Sequence, residues 1–272
     1  MAKKASTVPA VRTNSTAVGK TADAPPAALA SLAKKDAGKG VSTAQEDNLI
    51  PLIYVLQAQS PQVNKRNAGS YIAGAEAGSI WLRNFSDPIV AGEEGFLFQP
   101  CHFSKDWVEW IPRDNGGGFV GRHAELPKDA KKVSDPKNPS KVRYVRKNGN
   151  EIIETRYHVG NVITAKYGAV PYVIPLTSSG HTVSRDWMFR MNSKQLPTGD
   201  KAPSWMCLYR LRTKERTNAA GTWFTWDISD EGWVQSEEDY LRGASLHEAV
   251  TSGAKAVEAD TFSETEESSD KL

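Results

Sequence analysis

The chain has 272 residues and a formal net charge of +2, with 39% hydrophobic and 24% charged residues, a composition that excludes collagen-like, wholly disordered and membrane-embedded classes. This length accommodates one large domain or two small ones. No apolar run approaches the roughly 18 residues of a membrane-spanning helix, and the N-terminus lacks the apolar centre of a secretory signal. Two cysteines, Cys101 and Cys207, cannot form a disulfide framework, which favours a reducing cytoplasm.

Charge is distributed unevenly along the chain. Residues 1–45 carry seven Lys and Arg against two Asp, whereas residues 236–272 carry three Lys and Arg against ten Asp and Glu. The first segment also holds few large apolar side chains, so it cannot bury enough surface to offset the entropy of ordering. We therefore predict a disordered basic arm over residues 1–45, a single β-rich domain over residues 46–250 and a disordered acidic tail over residues 251–272.

The first part of the predicted domain is mostly strand-like. Residues 49–56 fit either a short helix or a buried strand. Residues 96–103 predict a strand, which a short turn at Ser104-Lys105 separates from a second strand over residues 106–112. Residues 124–140 are rich in Lys, Asp and Pro and predict an exposed loop.

The second part of the domain adds hairpins and helices. The dipeptide Asn148-Gly149 between strand-like runs favours a type I′ turn, and Val183, Trp187 and Met191 recur at helical spacing. The predicted elements are strands over residues 142–146, 151–159, 170–176, 205–213 and 222–229, and helices over residues 182–193 and 236–250.

Together these elements predict a mainly β fold: an OB-fold-like antiparallel barrel with one inserted helix, a C-terminal helix and disordered termini. An OB-fold is a five-stranded, partly open barrel that binds oligonucleotides, and it commonly carries a helix between its third and fourth strands. The helix predicted over residues 182–193 follows the strand over residues 170–176 and precedes the final hairpin, which is the position of such a helix.

The sequence contains no recognisable catalytic motif. It has neither a Gly-x-x-x-x-Gly-Lys-Ser/Thr phosphate loop nor a Gly-x-Gly-x-x-Gly after a strand. None of the five histidines has a partner at metal-ligand spacing, and there is no Cys-x-x-Cys. We therefore predict a protein that is not an enzyme and that has no cofactor and no metal site.

Aromatic and basic residues are interleaved in the last predicted hairpin. Single-stranded nucleic acid stacks its bases on aromatic rings while Lys and Arg neutralise its phosphates, so this pattern favours single-stranded DNA binding. Alternation places Trp205 and Tyr209 on one face and Arg210 on the other. The alternative is that the aromatics are core residues and cross-strand pairs. The candidate binding residues here are Trp205, Tyr209, Arg210, Arg212, Lys214, Arg216 and Trp223.

A second basic segment runs from Lys128 to Lys147 and carries eight Lys and Arg against two Asp. A net charge of +6 over these residues suits the phosphates of a nucleic acid, and a solvated, solubilising loop is the alternative. Trp107 and Trp110 lie three residues apart on a strand, so they face opposite sides and at most one is an exposed stacking platform. The candidate binding residues of this segment are Lys141, Arg143, Tyr144 and Arg146.

Two stretches, residues 46–61 and 95–122, are similar to uncharacterised phage and prophage proteins. The order of elements, a β barrel rich in aromatic and basic residues followed by a helix and a disordered acidic C-terminus, resembles phage-type single-stranded DNA-binding proteins. This resemblance implies an OB-fold, cooperative coating of exposed strands, and contacts of the tail with replication or recombination proteins in the cytoplasm of a bacterial host cell.

The combined prediction is sequence-independent single-stranded DNA binding in phage replication or recombination, with no membrane partner and with the oligomeric state left open. The acidic end, residues 257–272 with a net charge of −5, either competes with DNA for the basic surface or recruits partner proteins. The alternative function is that of a virion or assembly protein, in which the strands pack against neighbouring subunits and the tails are flexible arms.

Overall fold

The structure is a computed structural model that describes residues 49–134, 142–164, 168–219 and 221–258, together with Leu29, Leu32 and Ala33. The chain divides into two units, Met1–Ser42 and Thr43–Leu272, and the elements below belong to the second. The remainder of the predicted basic arm and the acidic tail beyond Glu258 lie outside the described residues.

The described residues of the second unit form thirteen strands and two α-helices. The strands are β1 (Leu49–Ile50), β2 (Ile53–Val55), β3 (Ile80–Leu82), β4 (Ile89–Val90), β5 (Phe96–Ile111), β6 (Gly118–His123), β7 (Lys131–Ser134), β8 (Val142–Val145), β9 (Glu151–Thr164), β10 (Gly168–Leu176), β11 (Cys207–Asn218), β12 (Gly221–Trp233) and β13 (Ala256–Val257), and the helices are α1 (Gly180–Asn192) and α2 (Glu237–Thr251).

The centre of the fold is an eight-stranded antiparallel sheet built on the long strands β5 and β9. At one end of this pair the strand order is β12-β11-β5-β9-β10, and at the other end it is β6-β5-β9-β8-β7. The mainly β fold with one inserted helix and a C-terminal helix is confirmed, but the described strands form no closed barrel. Helix α1 packs on both β10 and β12, so it occupies the gap that hydrogen bonds would close in a barrel.

Two sequence predictions about this sheet are wrong. The turn predicted at Ser104-Lys105 does not exist, because both residues pair with β9 and β5 continues through them. A bulge at Cys101, which has no partner between the Pro100 and His102 pairs, bends the strand instead. In addition, part of the predicted loop over residues 124–140 is β7, which pairs with β8.

Each face of the sheet carries its own hydrophobic core. On β9, Val162 lies in the core that α1 covers, whereas Tyr157 and Val159 lie in the core that contains Leu246 of α2. Since β9 side chains alternate, its even-numbered residues define the α1 face and its odd-numbered residues the α2 face. His158 belongs to the α1 face, where it bonds to the hydroxyl of Ser184 at 2.9 Å, and burial lowers its pKa to about 3.

The two predicted helices are present, and they differ in whether a side chain caps the N-terminal end. Helix α1 has Ser179 at its N-cap position without a side-chain cap. Helix α2 begins after Ser236, whose hydroxyl accepts a hydrogen bond from the backbone N–H of Asp239 at 3.1 Å. Such a cap satisfies one of the N–H groups that a helix start leaves without a partner.

Residues 49–56 contain strands, the second of the two predicted alternatives. Leu49 and Ile50 pair in parallel with Ala256 and Val257, and the side chain of Arg83 forms an ion pair with Glu258 at 3.1 Å. These contacts anchor the chain as far as Glu258. Neither helix of the described part has the length and apolarity needed to cross a membrane.

Candidate nucleic-acid interface

The hairpin β11–β12 places five of the predicted binding residues on one face. Cross-strand partners share a face of a sheet, and Arg216 pairs with Trp223 while Lys214 pairs with Thr225. Because alternate residues of β11 also point the same way, one row of side chains follows the hairpin. We call this row the hairpin face, and its members are Arg210, Arg212, Lys214, Arg216 and Trp223.

Ion pairs neutralise half of the cations on the hairpin face. The guanidinium of Arg210 lies 3.2 Å from Glu231, and the ammonium of Lys214 pairs with Asp227. Within the described residues, Arg212 and Arg216 have no carboxylate partner, and Arg216 is exposed. The hairpin face therefore keeps a positive charge that is available to an anion.

Two predicted stacking residues lie elsewhere. Tyr209 is on the opposite face of β11, fully buried in the core under α1, with its ring 5.7 Å from that of Trp187. Trp205 precedes β11, in a short 3-10 turn, and its ring lies 4.8 Å from that of His247 in α2. Tyr209 thus lacks the exposure that stacking requires, and Trp205 packs against a helix. For both residues the alternative interpretation, core packing of hairpin aromatics, describes the structure.

A groove of about 420 Å³ lies between α1 and the outer edge of β12. Its lining includes Lys214, Arg216 and Trp223 from the hairpin face together with Arg190 and Asp186 from α1. At Phe224 on this edge, a side chain satisfies the free backbone groups of the strand. The amide of Gln57 forms hydrogen bonds with both the N–H and the C=O of Phe224, each at 2.9 Å. Such capping protects an edge strand from pairing with another chain. The groove therefore offers side chains, rather than a free strand edge, to a ligand.

The second basic segment does not join the hairpin face. Strand β8 adjoins the Glu151 end of β9, whereas β11 adjoins the Phe96 end of β5, so the two sets lie at opposite ends of the sheet. Arg143 is paired with Glu151 at 2.5 Å. Tyr144 contacts Trp107 edge-to-face, with ring centroids 5.4 Å apart. Lys141 lies outside the described residues.

Arg146 has a structural task. Its guanidinium lies 2.8 Å from the buried carboxylate of Glu109 and 3.1 Å from Asp129. Hydrogen bonding to Arg146 lowers the pKa of Asp129, and the bonds to Asp129 and Glu109 raise the pKa of Arg146. Two carboxylates thus occupy this arginine, and its predicted role in phosphate binding has no support in the geometry.

Three aromatic residues outside the predicted set differ in their exposure. Trp107 and Trp110 do face opposite sides: Trp110 is buried beside Phe119, and Trp107 contacts Tyr144 on the other face. Phe189 is 73% exposed on the outer side of α1. The exposure of Phe189 could have been predicted from the sequence, because a residue two positions after the buried Trp187 does not lie on the apolar side of the helix.

In the described part of the chain, no three His, Cys, Asp or Glu side chains come close enough together to hold a metal ion. Cys101 and Cys207 are both buried free thiols. Burial raises the pKa of Cys101 to about 12, so this thiol stays protonated at neutral pH and is a poor ligand and nucleophile.

The fold and its surfaces define a mainly β protein with basic and aromatic side chains on an outer hairpin. The chain belongs to the Pam3 phage gp34-like protein family, whose model matches residues 19–256. The predicted association with phage is thereby confirmed. No curated protein and no solved structure matches the chain.

Proposed function

We propose that this phage-family protein is a non-enzymatic, sequence-independent single-stranded DNA-binding protein of replication or recombination. The observation that supports this proposal is the hairpin face, a row of four cations that ends beside Trp223 at the mouth of a groove. Stacking and phosphate neutralisation are the two interactions by which proteins hold single strands without reading their sequence.

The spacing of the cations suits an extended polyanion. Alternate residues of a strand lie roughly 7 Å apart, so the row from Arg210 to Arg216 extends over roughly 20 Å. Each neutralised phosphate of a single strand contributes about −0.7 to the slope of log affinity against log salt. With two unpaired and two paired cations, we expect a slope between about −1.4 and −2.8.

Trp223 supplies the aromatic surface. It lies directly opposite Arg216 in the strand register, is partly exposed and lines the groove. Stacking of one base on an aromatic ring contributes about 1–3 kcal/mol. A base seated on Trp223 would bring its own phosphates next to Arg216, which is the combination that distinguishes a single strand from a simple anion.

A fluorescence titration with an oligo-dT strand tests the proposal. Trp223→Ala is expected to weaken binding roughly 5- to 150-fold, which corresponds to the loss of one stacked base. The double variant Arg212→Ala/Arg216→Ala is expected to weaken binding and to reduce the salt slope, because two phosphate contacts are lost. The fold should tolerate this change, since neither arginine leaves an unpaired carboxylate behind. The matched control, Lys65→Ala/Arg66→Ala, removes the same charge from an exposed loop. If wild-type protein does not bind oligo-dT at low salt but sediments with phage particles, the result would favour the alternative function as a virion protein.

The acidic tail gives a separate prediction. Because Val257 pairs with β1 and Glu258 binds Arg83, a truncation that spares the fold must begin at residue 259. Residues 259–272 carry five Asp and Glu against one Lys, and we expect their removal to tighten oligo-dT binding, most strongly at low salt. A truncated protein with unchanged affinity at every salt concentration would leave competition by the tail without support.

A further inference from the structure

A second aromatic and basic surface lies at the other end of the sheet. Lys105 pairs with Arg156 and Trp107 with Glu154, while Tyr144 pairs with both Ile152 and Lys132. These β9 partners are even-numbered, so the whole group lies on the α1 face. We call it the Trp107 surface, and its members are Lys105, Trp107, Lys132, Tyr144 and Arg156.

The Trp107 surface is open to solvent where α1 no longer covers the sheet. Arg156 hydrogen-bonds to the backbone oxygen of His181 near the start of α1, and the surface continues away from that contact. Trp107 and Tyr144 are partly exposed, while Lys105 and Lys132 are exposed. Trp110, by contrast, belongs to the buried core on the opposite face. The fold therefore leaves a tryptophan and a tyrosine in contact with water beside two lysines.

The charges of this surface complement an anion. Arg156 is balanced by Glu154 at 2.9 Å, but Lys105 and Lys132 have no carboxylate partner among the described residues. The ammonium of Lys105 lies 5.6 Å from the centroid of the Trp107 ring. The rings of Trp107 and Tyr144 offer stacking surfaces, and the two unpaired lysines offer positive charge. This combination suits a nucleic-acid strand, which carries bases as well as phosphates.

The Trp107 surface and the hairpin face lie on opposite faces of the sheet. Arg210 pairs with Leu97, and Leu97 pairs with the odd-numbered Ile163, which places the hairpin face on the α2 face. The two surfaces also adjoin β5 at positions ten residues apart, roughly 30 Å along the strand. Both surfaces border α1, because Arg156 bonds to His181 and the groove of the hairpin face is lined by Thr182 and Asp186, so their separation rests on the distance along the strand.

We infer that the Trp107 surface is a second single-stranded DNA site, so that one molecule holds two separate DNA segments; this inference rests on the proposed function of the hairpin face. An acidic peptide would satisfy the lysines but has no bases for the rings. Two independent sites ten residues apart along β5 would let the protein bring two strands, or two parts of one strand, close together.

A strand-capture experiment with the full chain tests the inference. Protein is bound to a short oligo-dT on beads, unbound protein is washed away, and a second, fluorescent oligo-dT is added. Wild-type protein is expected to capture the second strand. Trp107→Ala is expected to retain binding to the first strand and to capture at least fivefold less of the second. Leu241→Ala, which removes a 56% exposed apolar side chain from α2, is the matched control and should capture both.

The charge variant Lys105→Glu/Lys132→Glu is a second test with a lower risk of misfolding, because both side chains are exposed and the contact between the Trp107 and Tyr144 rings remains. It should lose capture of the second strand while its thermal unfolding stays close to that of the wild type. Wild-type protein that binds one strand but never captures a second overturns this inference and leaves the proposed function standing. Protein that binds no oligo-dT at all overturns both, and unchanged capture by both variants overturns the Trp107 surface as the second site.

Discussion

Replacement of Gly160 by alanine is expected to destabilise the protein by roughly 2–4 kcal/mol. Gly160 lies in the middle of β9, opposite Pro100 of β5. A Cβ at this position would lie 2.3 Å from the backbone oxygen of Gln99 and 2.6 Å from the ring of Phe98. Neither neighbour can move easily, since the oxygen belongs to the central strand and the ring is fully buried.

Urea denaturation followed by tryptophan fluorescence measures this effect as a shift of the unfolding midpoint. Gly121→Ala is the matched control, because Gly121 is also in a strand of the sheet and a Cβ there would have no neighbour within 4 Å. Its free energy of unfolding should stay within about 0.5 kcal/mol of the wild type. Equal midpoints for the two variants would show that β5 and β9 do not approach as closely as the structure has them.

Local patterns in the sequence were sufficient to predict the helices and hairpins. A turn forms at Asn148-Gly149, but it is not the predicted type I′ turn: Gly149 has a φ of 88°, which glycine adopts without strain, whereas Asn148 lacks the positive φ that such a turn also requires. The residues around Trp187 form α1 because their apolar spacing matches one side of a helix. These features depend on residues close together in sequence, so one sequence is enough to reveal them.

The length of β5 could not be predicted in the same way. Ser104 and Lys105 are typical turn residues, but here they pair with Tyr157 and Arg156, more than 50 residues away. A strand continues through polar residues when its partner is long enough to supply hydrogen bonds. Such non-local pairing, rather than local propensity, also makes β7 a strand.

The sequence predicted which residues of the candidate site share a strand face, but not which of them are exposed to solvent. Alternation correctly grouped Arg210 with Arg212 and separated them from Tyr209. It could not show that α1 covers the Tyr209 face, because aromatic residues occur on both faces of the hairpin. Nor could it show that Arg146 is committed to Glu109, 37 positions away. Burial and ion pairing are tertiary properties, and they decide which cations are free.

Glu109 is the basis of the second large effect. Its side chain is 2% exposed and accepts hydrogen bonds from His123 and Arg146 at 2.8 Å and from Asn150 at 2.7 Å. Burial alone raises the pKa of this carboxyl group, but the hydrogen bonds from Asn150, Arg146 and His123 outweigh it and lower the pKa to about 2. The ionised carboxylate therefore joins β5, β6 and the β8–β9 turn.

Glu109→Gln is expected to lower the free energy of unfolding by roughly 2–4 kcal/mol at neutral pH. The glutamine keeps one acceptor oxygen, but its NH₂ group must face either the Asn150 amide or the Arg146 and His123 donors, so one side of the cluster loses its acceptor. Chemical denaturation at pH 7 measures the loss. Glu125→Gln, a change at an exposed carboxylate on the loop after β6, is the control and should leave the unfolding midpoint almost unchanged.

The pH dependence of the stability of wild type and Glu109→Gln distinguishes the effect of the negative charge from the effect of side-chain packing. A carboxyl group whose folded pKa lies below its unfolded value stabilises the fold above the unfolded pKa, and that contribution is lost as the pH falls towards the folded pKa. For Glu109 the loss runs from about pH 4.5 to about pH 2. The stability difference between wild type and Glu109→Gln should therefore shrink as the pH falls below about 4.5, while groups that do not contact Glu109, such as His158, cancel in the subtraction. A difference that stays constant down to pH 2 would mean that the glutamine is excluded by packing alone, and that the negative charge of Glu109 does not hold β5, β6 and the β8–β9 turn together.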